Sequence, residues 1–342
     1  MVLVNETGIR RVFSMRDAIE ADCEAYRMFS SDEITVPLRT QIEAAGAGGV
    51  FCFMPAYSER LGIASVKTVN IFPGNVKFGI TTLPSMVMTF DGETGVPSAL
   101  LDGACITSLR TGAASGAALD LFGRKEAKVG ALFGTGSQAK DQLCGMLEVR
   151  RLDRVYVYSR KKENREKFAE EMKEELGREL AACGTELIPA ETPEEAVRDA
   201  DLIITVTSSH SPVFDGSLVK PGAAVSCIGA YRPEMREIDD ALLRRASKIY
   251  CDSVDAVLEE AGDLITPLAE GTIRREDITG DIGDCLLGKL PGRETEEEII
   301  VFDSVGIGAQ DLVTAYRVLE RAKSAGVGQV WSVRQAPGRE EK

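Results

Sequence analysis

Residues 129–141 read VGALFGTGSQAKD, an apolar run that enters a glycine turn and leaves it as a helix. Gly134 suits a tight turn with positive φ, and Gly136 lets the backbone come close to a bound group. Ala139 stands where a third small residue lets the helix pack on the strand. Amides at such a helix start face outward and the helix dipole favours an anion there, so a pyrophosphate fits. Any tight β-to-α turn also needs glycine, so the pattern gains weight only from its surroundings. A second apolar run, 154–158, ends in Ser159, Arg160, Lys161 and Lys162, with no carboxylate before Glu163. Folds that take NAD carry an acid at this tip, which binds the ribose hydroxyls and repels a 2′-phosphate. A hydroxyl followed by three cations predicts NADP(H), with NAD(H) second. The same residues would also serve as the solvated start of a charged helix.

Strand-like runs at 129–133, 154–158, 202–206, 223–228, 248–251 and 299–302 alternate with helical patterns such as 137–147 and 163–176. This alternation predicts right-handed β-α-β units in a mostly parallel sheet, a Rossmann-type doubly wound α/β domain over 126–308. The first 125 residues differ. After an amphipathic helix at 15–29, runs 49–55, 63–70, 83–90 and 98–102 are separated by turns such as FPGN, DGETG and LDG. They predict an antiparallel or mixed sheet. A helix at 107–122 is rich in alanine and glycine, small enough for another chain or a cofactor to approach closely. A last helix, 309–325, is expected to return to the first domain, built from 1–125 with 309–342, leaving the ligand cleft between the two domains.

The apolar fraction of 44% with 27% charge is ordinary globular composition. No apolar run approaches the ~20 residues needed to span a bilayer. The first residues lack a signal peptide's apolar core, and eight cysteines without a C-x-x-C pair suggest neither zinc nor disulfides. Reduced cysteines and solubility predict a cytoplasmic protein. A net charge of −14 argues against nucleic acid as a partner. The single histidine, His210, in the polar loop TSSHSP, removes most metal sites and the usual histidine-activated nucleophiles. No metal site is expected. Catalysis has to rest on Lys, Arg, Asp, Glu, Tyr or the cofactor.

Lys67 sits among Ile63, Val66, Val69 and Ile71, where a lysine is costly unless it is paired or working. It reads either as a proton donor or carboxylate anchor, or as a lysine snorkelling on the strand's polar face. Arg39 and Arg110 are each a surface charge or, with Lys67, part of a cationic set for a small amino- or imino-acid carboxylate. Asp303 ends the strand-like run VFD, an edge that faces the ligand crevice of an open α/β sheet, or else it caps a turn. Asp91 and Asp102 read as turn residues, and the acidic run 294–298 as a solvated loop.

The segments VPLRT, ASVKTVNIFPGN, FDGETGVPSALLDG, SLRTGAASG, FGTGSQA, IGAYRPEMREID and VFDSVGIGAQD occur in this order. Together they resemble the ornithine cyclodeaminase/μ-crystallin family over residues 30–320. The resemblance implies an NAD(P)-binding Rossmann domain joined to a second α/β domain that binds substrate and dimerises, hence a homodimer. The family's members include ornithine and lysine cyclodeaminases, alanine dehydrogenase, ketimine and pyrroline-2-carboxylate reductases and cis-3-hydroxyproline dehydratases. Matched by motif, Arg39, Lys67 and Arg110 look like substrate-carboxylate residues, with Lys67 also acting at the imine or amine centre. Thr111, Gly134, Thr135, Gly136, Ser137 and Gln138 look like cofactor contacts. Ser159, Arg160 and Lys161 would address the ribose phosphate, Thr207 and Ser208 the region after the next strand, and Asp303 and Ser304 the nicotinamide.

One departure is informative. Cyclodeaminases and the alanine dehydrogenase of this family carry aspartate two residues after the glycine of G-[AG]-D, where this chain has Tyr231 in Gly229-Ala230-Tyr231. Without that carboxylate the likeness is to the imine-reducing side, because a ketimine needs a hydride, a proton and a bound carboxylate but no base to extract ammonia. Tyr231 either supplies the proton or closes the pocket with its ring. The expected activity is NAD(P)H-dependent reduction of a small cyclic ketimine, Δ1-pyrroline-2-carboxylate or Δ1-piperideine-2-carboxylate, to L-proline or L-pipecolate. A cyclodeaminase or hydroxyproline dehydratase, and a non-catalytic NADPH or small-ligand binder, are the alternatives.

Overall fold

The computed structural model describes residues 1–332, and the chain divides into two units. One comprises Met1–Ser14, Ser31–Thr107 and the described residues from Gly308 onward; the other comprises Met15–Ser30 and Ser108–Ile307. Helix Met15–Ser30 and most of helix Gly103–Phe122 therefore group with the second unit, where the sequence had suggested 1–125 against 126–308. The small residues explain the difference. A Cβ on Gly112 would stand 2.2 Å from the Asp141 carbonyl oxygen, and one on Gly116 would stand 2.6 Å from the Ile19 side chain. What approaches this alanine- and glycine-rich face is two helices of the same unit.

In the first unit, β1 (Val2–Val4), β2 (Thr40–Ala44), β3 (Gly49–Ser58), β4 (Ile63–Val69), β5 (Ser85–Asp91) and β6 (Pro97–Asp102) form one mixed sheet. With the two-residue strand Gln329–Val330 at its edge, the order continues β1-β6-β5-β4-β3-β2. Only β1 and β6 are parallel. Burial alternates along β3, β4 and β5, as a sheet covered on one face requires. Met54, Lys67 and Val87 lie opposite one another on the covered face, beneath helix Gly308–Ser324. The other face carries Phe51, Phe53, Tyr57, Val66, Met86 and Met88, of which Phe51, Tyr57 and Met86 are exposed.

The second unit contains β7 (Val129–Phe133), β8 (Arg154–Tyr158), β9 (Glu186–Pro189), β10 (Leu202–Thr205), β11 (Ala224–Cys227), β12 (Lys248–Cys251), β13 (Gly280–Asp281) and β14 (Ile300–Asp303). All run parallel, in the order β13-β12-β14-β11-β10-β7-β8-β9. Every residue of β7, β10, β11, β12 and β14 is buried, which is why these runs read as unbroken apolar segments. The edge strands β9 and β13 carried no such signal. Chain order reverses between β7 and β10, the kind of point where open α/β sheets bind ligands beyond their C-terminal strand ends. The acidic run is not simply solvated, because Glu294 and Glu298 pair with Lys248 at 2.7 and 2.6 Å. Among the described residues, no helix is long and apolar enough to cross a membrane.

Candidate active site

The turn after β7 is built as its glycines imply. Gly134 has φ +119°, and a Cβ there would stand 2.4 Å from the Val206 carbonyl oxygen, so both conformation and space demand glycine. Nothing lies within 4 Å of a Cβ on Gly136, which leaves that side open, and Ala139 is fully buried at the start of helix Ala139–Val149. A cleft of about 400 Å³ opens here, at the C-terminal ends of β7, β8 and β10. Gly134, Thr135, Gly136, Ser159, Arg160, Thr207 and Ser208 line it. Asn164, Ser209, Ser211 and Val213 also line it, and the sequence had not singled them out. The tip of β8 is braced by Arg165, whose guanidinium donates to the Ser159 carbonyl at 3.1 Å and stacks over Tyr158.

Five other expected cofactor residues lie off this cleft. The Thr111 carbonyl accepts from the Gln142 amide at 2.9 Å. Ser137 and Gln138 precede the helix, with the Gln138 side chain 3.5 Å from the Ser108 hydroxyl, and Lys161 stands at the N-cap of helix Lys162–Glu175. The Ser304 hydroxyl donates to Asp252 at 2.7 Å, so it is engaged inside the protein.

At the C-terminal ends of the neighbouring strands lies a set of buried acids, Glu237, Asp252, Asp263 and Asp303. Asp303 is 1% exposed, and among the described residues neither carboxyl oxygen accepts a hydrogen bond of good geometry. Burial, reinforced by Asp263, Asp252 and Glu237, holds it well above the usual carboxylate range. Burial also raises Asp252, against the donors Ser304, Gly306 and Ser253 and the charge of Arg110, all of which favour its ionised form. Arg110 is 7% exposed, with its guanidinium against Gly306, where a Cβ would stand 2.2 Å from its nitrogen. Tyr231 is half-buried on the rim of the unit's apolar core, under the Arg232 guanidinium.

In the first unit, Lys67 is fully buried and does not snorkel. Its Nζ donates to Asp311 Oδ1 at 2.7 Å, and Asp311, in the first turn of helix Gly308–Ser324, is also fully buried. Arg39, just before β2, is half-buried. Asp91 and Asp102 are turn and cap residues, accepting from Thr94 and from the Cys105 amide. Asp311, Glu237 and Asp263 had escaped notice. The first two lie inside the quoted segments VFDSVGIGAQD and IGAYRPEMREID, but no spacing in the sequence says that Asp311 meets Lys67, 244 residues away.

Comparison with known proteins adds a chain-wide context. A family model described as ornithine cyclodeaminase/mu-crystallin matches residues 1–326. A Delta(1)-pyrroline-2-carboxylate reductase of Bacillus cereus is 34% identical over 329 residues, covering 96% of this chain and 99% of that protein. The structure of Thermococcus litoralis Delta(1)-pyrroline-2-carboxylate reductase in complex with NADH and L-proline superposes with a TM-score of 0.90 at 34% identity, covering 97% of this chain and all of that one. An archaeal alanine dehydrogenase dimer with bound NAD gives a TM-score of 0.86 at 32% identity, covering 96% and 98%. With its Rossmann unit, its glycine turn and a match running almost end to end, this chain belongs to the ornithine cyclodeaminase/mu-crystallin family.

Proposed function

We propose that the protein is an NAD(P)H-dependent reductase of small cyclic ketimines, converting Δ1-pyrroline-2-carboxylate or Δ1-piperideine-2-carboxylate to L-proline or L-pipecolate. The observation that carries this reading is a dinucleotide-type cleft beyond β7, β8 and β10, in a chain similar over its whole length to pyrroline-2-carboxylate reductases. When bound, the reduced dinucleotide supplies hydride to the imine carbon. Gly134–Gly136 and the helix start that follows take its pyrophosphate. Ser159 and Arg160 at the tip of β8 take the 2′-phosphate, and the absence of an acid before Glu163 favours NADPH, although the two solved relatives carry NADH or NAD.

Arg39, Lys67 and Arg110 are the cations offered to a substrate carboxylate, and Asp311, which accepts from the Lys67 ammonium, orients Lys67 for that task. The imine nitrogen takes its proton from Lys67, from Tyr231 or from water, with Asp303, its carboxyl raised by burial, at the sheet edge beyond β14. We also infer a homodimer formed through the uncovered face of the first sheet, since Phe51, Tyr57 and Met86 are exposed there and a relative is an alanine dehydrogenase dimer. A cytoplasmic setting fits eight free cysteines.

The test is oxidation of NADPH and NADH with cyclic imino acids of five- and six-membered rings. Turnover with at least one is expected. No turnover with either cofactor refutes the reading, and ammonia release from ornithine or lysine without net cofactor reduction replaces it with a lyase. Light scattering that gives the mass of one 36.9 kDa chain refutes the dimer.

A further inference from the structure

Glu237 belongs to no strand and is not among the residues that line the cleft, yet it is fully buried and its carboxylate is the meeting point of two turns. Oε1 accepts the Thr207 amide at 2.5 Å, beyond the end of β10. Oε2 accepts the Gly229 amide at 2.6 Å, beyond the end of β11, and the Thr205 hydroxyl at 2.8 Å. Its own carbonyl takes the Val213 amide at 2.8 Å. Thr207 and Val213 line the dinucleotide cleft, and Gly229 begins the segment that carries Tyr231. The fit is close enough to dictate a neighbour. A Cβ on Gly229 would stand 2.1 Å from the Thr207 carbonyl oxygen and 2.5 Å from the Glu237 carboxylate. Asp263, in turn, fixes the backbone of this residue by accepting the amides of Glu237 and Ile238 at 2.6 and 3.0 Å.

We propose that Glu237 is a positioning residue whose carboxylate ties the turn after β10 to the turn after β11, setting Thr207 for the cofactor and Gly229-Ala230-Tyr231 for the reaction. The inference rests on the reading of the cleft as a dinucleotide site. Three donors converge on two oxygens, an arrangement that suits a carboxylate, which accepts only. A glutamine would turn its NH2 toward an amide N–H, and a protonated carboxyl would turn its O–H toward one. Burial and the charge of Asp263, opposed by the Thr207 and Thr205 donors, push Glu237 up to about 7. The other titratable groups near it are Asp303 at the end of β14 and the Cys227 thiol at the end of β11, and Arg236 supplies the adjacent positive charge. The tie therefore strengthens as the carboxyl ionises with rising pH and weakens as pH falls.

The experiment measures NADH affinity by fluorescence from pH 6.5 to 8.5 for the wild type, Glu237→Gln and Glu237→Asp. NADH is chosen because it lacks the 2′-phosphate, which would titrate in the same range. Wild-type affinity is expected to rise with pH. Glu237→Gln should bind about tenfold more weakly at pH 8, the scale of one lost hydrogen bond to a charged acceptor, and should lose the pH dependence. Glu237→Asp keeps the acceptors and should recover part of both. A folded Gln variant with wild-type affinity and an unchanged pH profile overturns the proposal. If Gln does not fold, Thr205→Val removes one donor to the ionised form, and an unshifted pH midpoint in that variant overturns it equally. Should the wild type bind no dinucleotide, the functional reading falls on its own. Hydrogen exchange then reads the tie directly: equal protection of the Thr207 and Gly229 amides in wild type and Gln variant refutes it.

Discussion

Replacing Lys67 by Met tests whether the buried Lys67–Asp311 pair is both a structural and a functional unit. The two side chains meet at 2.7 Å and are both 0% exposed. At that separation the attraction between unit charges is roughly 6 kcal/mol at an effective dielectric of 20. Most of this offsets the loss of hydration, so the pair adds little net stability, but breaking it from one side leaves a buried charge and costs about 3–5 kcal/mol. Lys67→Met keeps the unbranched chain up to the ε position and removes the ammonium group. Urea unfolding should show a loss of that size, and Asp311→Leu should show a similar one. The double variant Lys67→Met/Asp311→Leu should recover most of it, because two apolar groups have nothing to leave uncompensated. Ketimine turnover should fall to background in all three, while dinucleotide affinity stays near wild type. Additive losses in the double variant would refute the coupling. Retained turnover in Lys67→Met would remove the lysine from the chemistry.

Arg160→Ala should raise the KM for NADPH about tenfold or more, the scale of a lost charge-assisted contact, and leave that for NADH nearly unchanged; steady-state kinetics with both cofactors reads this. Gly134→Ala forces a side chain into φ +119° and against the Val206 carbonyl, so it should cost about 2 kcal/mol or more and abolish dinucleotide binding, checked by thermal melting and fluorescence titration. Asp201 accepts hydrogen bonds from Lys128, Val129, Lys220 and Arg124, which outweigh burial and lower it to about 2. A lowered carboxylate contributes stability above its ordinary value near 4 and loses it as pH falls toward 2, so Asp201→Asn should cost at most about 2 kcal/mol at pH 7 and nothing near pH 2, as denaturant titrations at the two pH values would reveal.

Local chemistry made much of the Rossmann unit legible in advance. Strands buried on both faces leave unbroken apolar runs, so β7 and β12 were bounded to the residue, as was the alternately buried β8, and the glycine turn with Arg160 at the next strand tip marked the cleft. Where an element's partner is distant in the chain, that advantage ends. Sequence pattern left Lys67 open between a working residue and a snorkelling one, and only the approach of helix Gly308–Ser324 to β4 brought Asp311 to it. The small residues of Gly103–Phe122 announced a close approach but could not name Ile19 and Asp141 as the neighbours. Nothing in the sequence marks Glu237, because its three donors come from two turns that are brought together by strand pairing. Periodicity and turn geometry are properties of neighbouring residues and can be read in order; a buried charge acquires its meaning from whatever the fold sets against it, across hundreds of residues.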